Sequence, residues 1–419
     1  MRKSFFLILP FVFFFFVIKA QTPGCPDPAA NNYNVSATVN DGSCTYSDAT
    51  ITPKLKYNLN TQLNESSGVI WWKKLLWSHN DSGNDPVLFA MNTTTSDIQK
   101  TVTLSNATNI DWEDIAQDKK FIYIGDFGNN ANGNRTDLKI YKIAKADVLA
   151  GNTVTASVIN FSYDDQTDFT PKSSNNTNFD CEAMIAFGDS LYLFSKDWVD
   201  NKTRLYKLPN KPGTFSAVKL GELNVQGLIT GADILPDQRV IVLSGYSLTL
   251  SPFIYLLYDF SGNHFFDANK RKILLNQSFT QAEGICAKTA TTFFLSNERF
   301  SKLGITTPAK LQQLNLSPFL NPYYSKSPIT TISSAAKTNI SENNKWASVS
   351  NGSNWLRVNI LSPAKKSIVE IYNVAGYLLL KKNITGPGIT IDLSSFTNGI
   401  YVSKIYSGNK QLTQNFIKE

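Results

Sequence analysis

Only two histidines occur in 419 residues, and only His79 lies in a motif that recurs. A zinc centre or a histidine-based triad therefore has little to work with. Cysteine is also scarce: four are present, and only Cys25 and Cys44 flank one short polar segment. After Ile18 no apolar run is long enough to cross a bilayer. The one dense apolar run, from Phe5 to Ile18, follows Arg2 and Lys3 and ends near Ala20. That order of regions is a secretory signal peptide. We expect residues 1–20 to be removed, leaving no transmembrane segment and sending the chain through the periplasm. In such an exported chain a Cys25–Cys44 disulfide is the expected state, with Cys181 and Cys286 as buried thiols.

The formal charge of +7 is unevenly placed. Loss of Arg2, Lys3 and Lys19 with the leader leaves +4, and the tail from Trp346 alone carries +5. The region between is close to neutral. No basic stripe runs along it, so the sequence predicts no nucleic-acid partner.

What the chain does have is repetition. Glu65 leads to a strand-like run at 75–81, Glu113 to 121–126, Glu182 to 191–197, Ala232 to 240–245 and Glu283 to 293–298. The starts fall 48, 69, 50 and 51 residues apart. Each copy continues with further runs rich in β-branched and aromatic residues, bounded by Gly, Asn, Asp and Pro. A period near 50 with several short strands predicts an all-β fold, a five-bladed or alternatively six-bladed β-propeller over 49–318. The fifth copy lacks a fourth strand, which 51–59 can supply from the front and so close the ring. The long second copy hides either a loop around 164–179 or a lost sixth blade.

Residues 24–46, from Gly24-Cys25-Pro26-Asp27-Pro28 to Asp41-Gly42-Ser43-Cys44-Thr45-Tyr46, have too little apolar material for a core, so 21–48 reads as a stapled module. The segment resembles a short Cys repeat of secreted Bacteroidetes proteins, which implies a surface spacer or adhesive module with Asp27 or Asp41 as possible calcium ligands. Residues 319–345 read as a linker, and 346–419 as a small C-terminal β-sandwich. There, Val369-Glu370-Ile371-Tyr372-Asn373-Val374-Ala375-Gly376, Asn398-Gly399-Ile400-Tyr401 and a lysine near the end resemble the C-terminal sorting domain of the type IX secretion system. That resemblance implies the type IX machinery as partner and a secreted or outer-surface location.

Four copies begin with glutamate, so Glu65, Glu113, Glu182 and Glu283 are expected to converge at one mouth of the ring. Carboxylates held together repel, and burial disfavours each charge; either they take up protons or a cation neutralises them. Oxygen-only ligands suit Ca²⁺. The alternative is a purely structural acid that bonds the next blade's backbone. Motifs such as Asp111-Trp112-Glu113-Asp114 and Gly125-Asp126-Phe127-Gly128 are similar to the SdiA-regulated and phytase-like propeller group. Two functions follow: a surface binding or scaffold module with Ca²⁺ in its channel, or a Ca²⁺-dependent hydrolase of phosphoester, lactone or glycan substrates. For the second, Asp111, Asp126 and Glu298 are the candidate bases.

Overall fold

A computed structural model of the chain describes residues 22–302, 305–326, 346–352, 355–360, 367–373, 378–396, 399–408 and 410–418. The expected signal peptide, residues 327–345 of the expected linker, and Val374, Ala375, Gly376 and Asn398 of the sorting motif lie outside them. The chain divides into two compact units between Ile329 and Thr330.

The first unit is built from five four-stranded antiparallel sets. They begin with the leading strands Ser66–Trp72, Trp112–Gln117, Cys181–Phe187, Leu228–Leu235 and Ala282–Ala287. Each leading strand touches the next, and the last touches the first, so the five form a closed cycle. Five apolar clusters fill the five gaps. Ile70, Trp77 and Leu88 meet Trp112, Ile115 and Ile124 between the first and second sets. Val69, Leu76 and Met91 meet Cys286, Phe294 and Leu311 between the fifth and first. Leading and second strands are buried almost without interruption, because both faces meet a neighbouring sheet. The outermost strands alternate, as Ser157–Tyr163 does, because one face meets water.

The fifth set is completed from the front of the chain. Lys54–Asn58 pairs antiparallel with Lys310–Asn315. The expected single strand at 51–59 divides, however, since Thr50–Ile51 pairs with Asn269–Leu275 of the fourth set. Outer strands Ser157–Tyr163 and Gly213–Leu223 pair in parallel, joining the second and third sets into one eight-stranded sheet. Among the described residues the long second copy contains no sixth set. Its extra length is a helix, Lys145–Ala150, a short strand, Thr153–Val154, and the loop at 164–180.

The Cys25–Cys44 disulfide is present, and Cys181 and Cys286 are buried and unbridged. The stapled module is docked on the fourth set rather than standing off as a spacer. Asp27 Oδ2 accepts from the hydroxyls of Tyr46 (2.7 Å) and Tyr258 (2.6 Å), and its Oδ1 accepts from the Ala29 amide. Asn40 Nδ2 reaches Asn269 Oδ1 at 2.8 Å, and the Arg271 guanidinium lies over the Tyr46 ring. Asp27 thus holds the module to the fourth set. Tyr258→Phe removes one of its charge-assisted bonds and should cost about 1–2 kcal/mol. The expected signature is faster proteolysis within 22–46, read by timed digestion and mass spectrometry.

The linker assigned from 319 is corrected over its first residues. Ser317–Lys326 is a helix whose Phe319, Leu320 and Tyr323 pack against the core between the fourth and fifth sets. Internal Pro322 and the polar neighbours argue against a helix locally, but burial of three apolar side chains on one face overrides that.

The second unit has a three-stranded sheet (Ala347–Gly352, Trp355–Ile360, Gly388–Asp392) and a four-stranded one (Leu378–Ile384, Ser367–Asn373, Gly399–Ser407, Lys410–Lys418). Leu356, Val358 and Ile391 of the first share one core with Val369, Ile371, Ile405 and Phe416 of the second.

Candidate functional site

All five leading strands carry a register irregularity against their second strand, near the same end. A β-bulge inserts one residue, bends the strand and re-aims a side chain. The residues at this position are Ser67, Glu113, Glu182, Thr230 and Glu283. Glu65 was expected here and is displaced by two residues. It is exposed and accepts from Asn84 Nδ2 at 2.5 Å, and Ser67 takes its place, its hydroxyl donating to the Glu113 carbonyl. Thr230, rather than Ala232, fills the fourth position, and its hydroxyl donates to the Ala282 carbonyl.

A second ring follows from the same pairing. One residue past the bulge partner on each second strand lie Asp81, Phe127, Lys196, Tyr246 and Glu298. All but Phe127 line a pocket of about 200 Å³, together with Glu113, Glu182 and Glu283. Asn175, from the long loop, also reaches it. Lys196 is buried and pairs with Glu182 at 2.7 Å, its ammonium over the Trp198 and Tyr246 rings. Burial opposes that charge, yet Glu182 and the acids behind it hold the ammonium well above the ordinary lysine range. Asp180 accepts from the Asn129 amide (2.6 Å) and from Trp198 Nε1 (2.8 Å).

Two groups of carboxylates share Glu113. The oxygens of Asp81, Asp111 and Glu113 lie within 4.8 Å of one another, as do those of Glu113, Asp180 and Glu182. Three full charges at that spacing repel by about 3 kcal/mol per pair, taking an effective dielectric near 20. Burial and this repulsion push Asp81 up to about 6 and Asp111 to about 7, and hold Glu113, Glu182 and Glu283 well above the usual range. The second group has Lys196 as its own cation. The first has no direct ion pair among the described residues: Lys196 and Arg135 act on Asp81 and Asp111 only from further off, and Glu113 is 5% exposed. A Cβ on Gly128 would lie 2.2 Å from Glu113 Oε1, so the backbone closes on this group with no room to spare.

The structural acid exists too, beside the glutamates. Asp114 is fully buried; its Oδ2 accepts from the amides of Met184 (2.7 Å) and Ala232 (3.3 Å), and its Oδ1 from that of Ile115. It thus ties the second set to the third and fourth. Asp233 makes the corresponding bond to the Ala287 amide of the fifth at 2.7 Å.

Of the candidate bases, Asp111 stands in the carboxylate group and Glu298 lines the pocket. Asp126 does not: it is buried behind Asp111 in an ion pair with Arg135 at 2.8 Å, which places it in the scaffold. His79 is buried edge-on against Trp112, and burial lowers its pKa to about 4, so it is a neutral packing residue. Tyr246 was not foreseen. Its slot, one residue past the bulge partner at the end of the second strand, is the one Asp81, Lys196 and Glu298 occupy, and that spacing could have found it.

Residues 353–419 match the family described as "Secretion system C-terminal sorting domain". The chain is therefore an exported all-β protein, secreted or held at the cell surface, with a link to the type IX secretion machinery. No curated protein matches it. Among solved structures it is similar to a DUF3244-family protein with an immunoglobulin-like β-sandwich fold from Bacteroides vulgatus (24% identity, 18% of this chain and 90% of that one, TM-score 0.17). It is also similar to an exo-β-1,3-galactanase from Phanerochaete chrysosporium (8%, 94% and 99%, TM-score 0.38). A third is a protein of unknown function from Dyadobacter fermentans (11%, 59% and 76%, TM-score 0.37). Likeness at this level carries no argument about activity.

Proposed function

We propose that the first unit is a five-bladed β-propeller acting as a surface binding module, with a calcium ion held in its central pocket by Asp81, Asp111 and Glu113. The closed cycle of leading strands and the front strand that completes the fifth set support the propeller. The observation that carries the cation is Glu113: a buried carboxylate shared by two acidic groups, of which only one is directly ion-paired to a lysine. The ligand atoms are all oxygen, which favours a hard cation, and their combined charge suits a divalent one. Lys196 keeps the neighbouring acids from competing for it.

The hydrolase reading has one observation in its favour. Asp111, beside Glu113 and pushed to about 7, is matched to proton transfer near neutral pH. A bound calcium would supply polarisation of a substrate oxygen. Turnover of phosphoester, lactone or glycan panels by the calcium-loaded protein separates this reading from a binding module.

The cation itself is tested by pH. Asp81 and Asp111 have folded pKa values above their unfolded ones, so folding favours their neutral forms. Their charge costs stability above about pH 7, and the cost vanishes as pH falls below 4. Without calcium the protein should melt lower at pH 8 than at pH 5. The difference is about 2–4 kcal/mol after discounting for solvent screening. Calcium should restore roughly 5 °C or more at pH 8 and little at pH 5. Melting curves in EDTA and in calcium, with calorimetric titration, read both. Identical melting in the two at pH 8, with no binding heat, ends the cation reading.

A further inference from the structure

The leading strands run from the acidic pocket to an opposite mouth, and the turns there gather lysine. Lys73 and Lys74 form the turn of the first set, Lys119 and Lys120 that of the second, and Lys288 that of the fifth; all five are exposed. Lys288 lies beside Trp71, and the segment carrying Lys120 is tied through Lys145 to Trp72. Lys145 Nζ lies 5.2 Å from the Trp72 ring centre and Lys288 Nζ 5.9 Å from that of Trp71. Gln117 Nε2 donates to the Trp71 carbonyl at 3.1 Å, and the Lys145 amide donates to the Lys120 carbonyl at 2.9 Å. The acid within these turns, Asp118, is occupied by the Tyr123 hydroxyl and the amides of Lys120 and Phe121.

The Lys73-Lys74 turn is conformationally expensive. Its φ angles are +53° and +65°, so both residues sit in the left-handed region. A two-residue hairpin of this kind is the place for Asn-Gly, which adopts it with little strain. Two lysines there sacrifice stability, and strain of this sort collects where side chains serve binding. The chemistry of the patch narrows the ligand. The turns of the first, second and fifth sets contain lysine and no arginine; Arg239, in the fourth set's turn, is paired with Asp259 at 2.6 Å, and the third and fourth turns add Asp189 and Asp237. Arginine forks dominate bidentate phosphate and nucleic-acid recognition, whereas lysines on flexible stems act as point charges. Sulfate or carboxylate groups spaced along a polymer suit such charges, and the half-buried tryptophans offer apolar edges to sugar rings.

We propose that this mouth binds an acidic polysaccharide through Lys73, Lys74, Lys119, Lys120 and Lys288, independently of the cation pocket. The exported location puts it among such polymers. Binding turns one end of the ring toward the polymer and leaves the acidic pocket facing away.

The test uses the full chain and the double variant Lys73→Asn/Lys74→Gly. Dextran sulfate is the probe, with uncharged dextran and duplex DNA as comparisons; the basic sorting domain contributes equally to both proteins and cancels. The variant should melt at the same temperature or higher, because its turn is relieved. Its affinity for dextran sulfate in 0.1 M salt should fall about tenfold, and Lys288→Glu should lower it likewise, with calcium titration unchanged. Unaltered affinity in both variants overturns the proposal. So does duplex DNA binding as tightly as dextran sulfate with the same dependence on the two variants, which would make the patch a phosphate-backbone site.

Discussion

With Glu113 replaced by glutamine, the protein should stop responding to calcium and become more stable without it. The carboxylate is buried and shared by both acidic groups. Removing its charge relieves repulsion from Glu182, Asp81 and Asp111 in the cation-free protein, where burial and these neighbours hold its pKa well above normal. The same change takes the central anionic oxygen from the proposed calcium site. Calcium affinity should fall at least about a hundredfold, at the upper end of what even outer-shell changes cost a metal site. The EDTA melting temperature at pH 8 should rise, and the calcium-induced increment should vanish. A purely structural glutamate would give the opposite signature: a lower melting temperature in EDTA and an intact response to calcium.

Asp114→Ala should be the most destabilising single change in the ring. It strips the acceptor from the amides of Met184, Ala232 and Ile115, all inside a core with no water to replace it. Unmet buried donors cost about 1–3 kcal/mol each, so a total near 4 kcal/mol is expected. Melting should fall by roughly 8 °C or more, measured against the exposed Asp237→Ala as control, which should stay within about 0.5 kcal/mol. Asp114→Asn should recover part of the loss. One amide oxygen can serve either the Ile115 side or the Met184 and Ala232 side, but not both. Loss of only a degree in Asp114→Ala would mean that the sets are held by their apolar clusters alone.

Much of the architecture was readable because it is local. Strand periods, turn residues and the recurrence of an acidic start are written in adjacent residues, and the front strand that completes the fifth set followed from counting. The convergence of Glu113, Glu182 and Glu283 on one pocket was legible for the same reason. Glu65 was misplaced because the bulge shifts the functional position by two residues, and nothing in Glu65-Ser66-Ser67-Gly68 marks which residue is the extra one. Asp27 was read as a possible ligand because its tyrosine partner Tyr258 lies 231 positions away.

From sequence alone came the all-β character, the disulfide and the sorting domain, since each depends on composition or on spacing within one segment. Tertiary structure alone decided that Lys196 pairs directly with one acidic group and not with the other. It also set the lysines of three separate turns at one end of the cycle of leading strands. Both are consequences of ring closure, which brings residues more than a hundred positions apart within a few ångströms, where charge, not order along the chain, sets their chemistry.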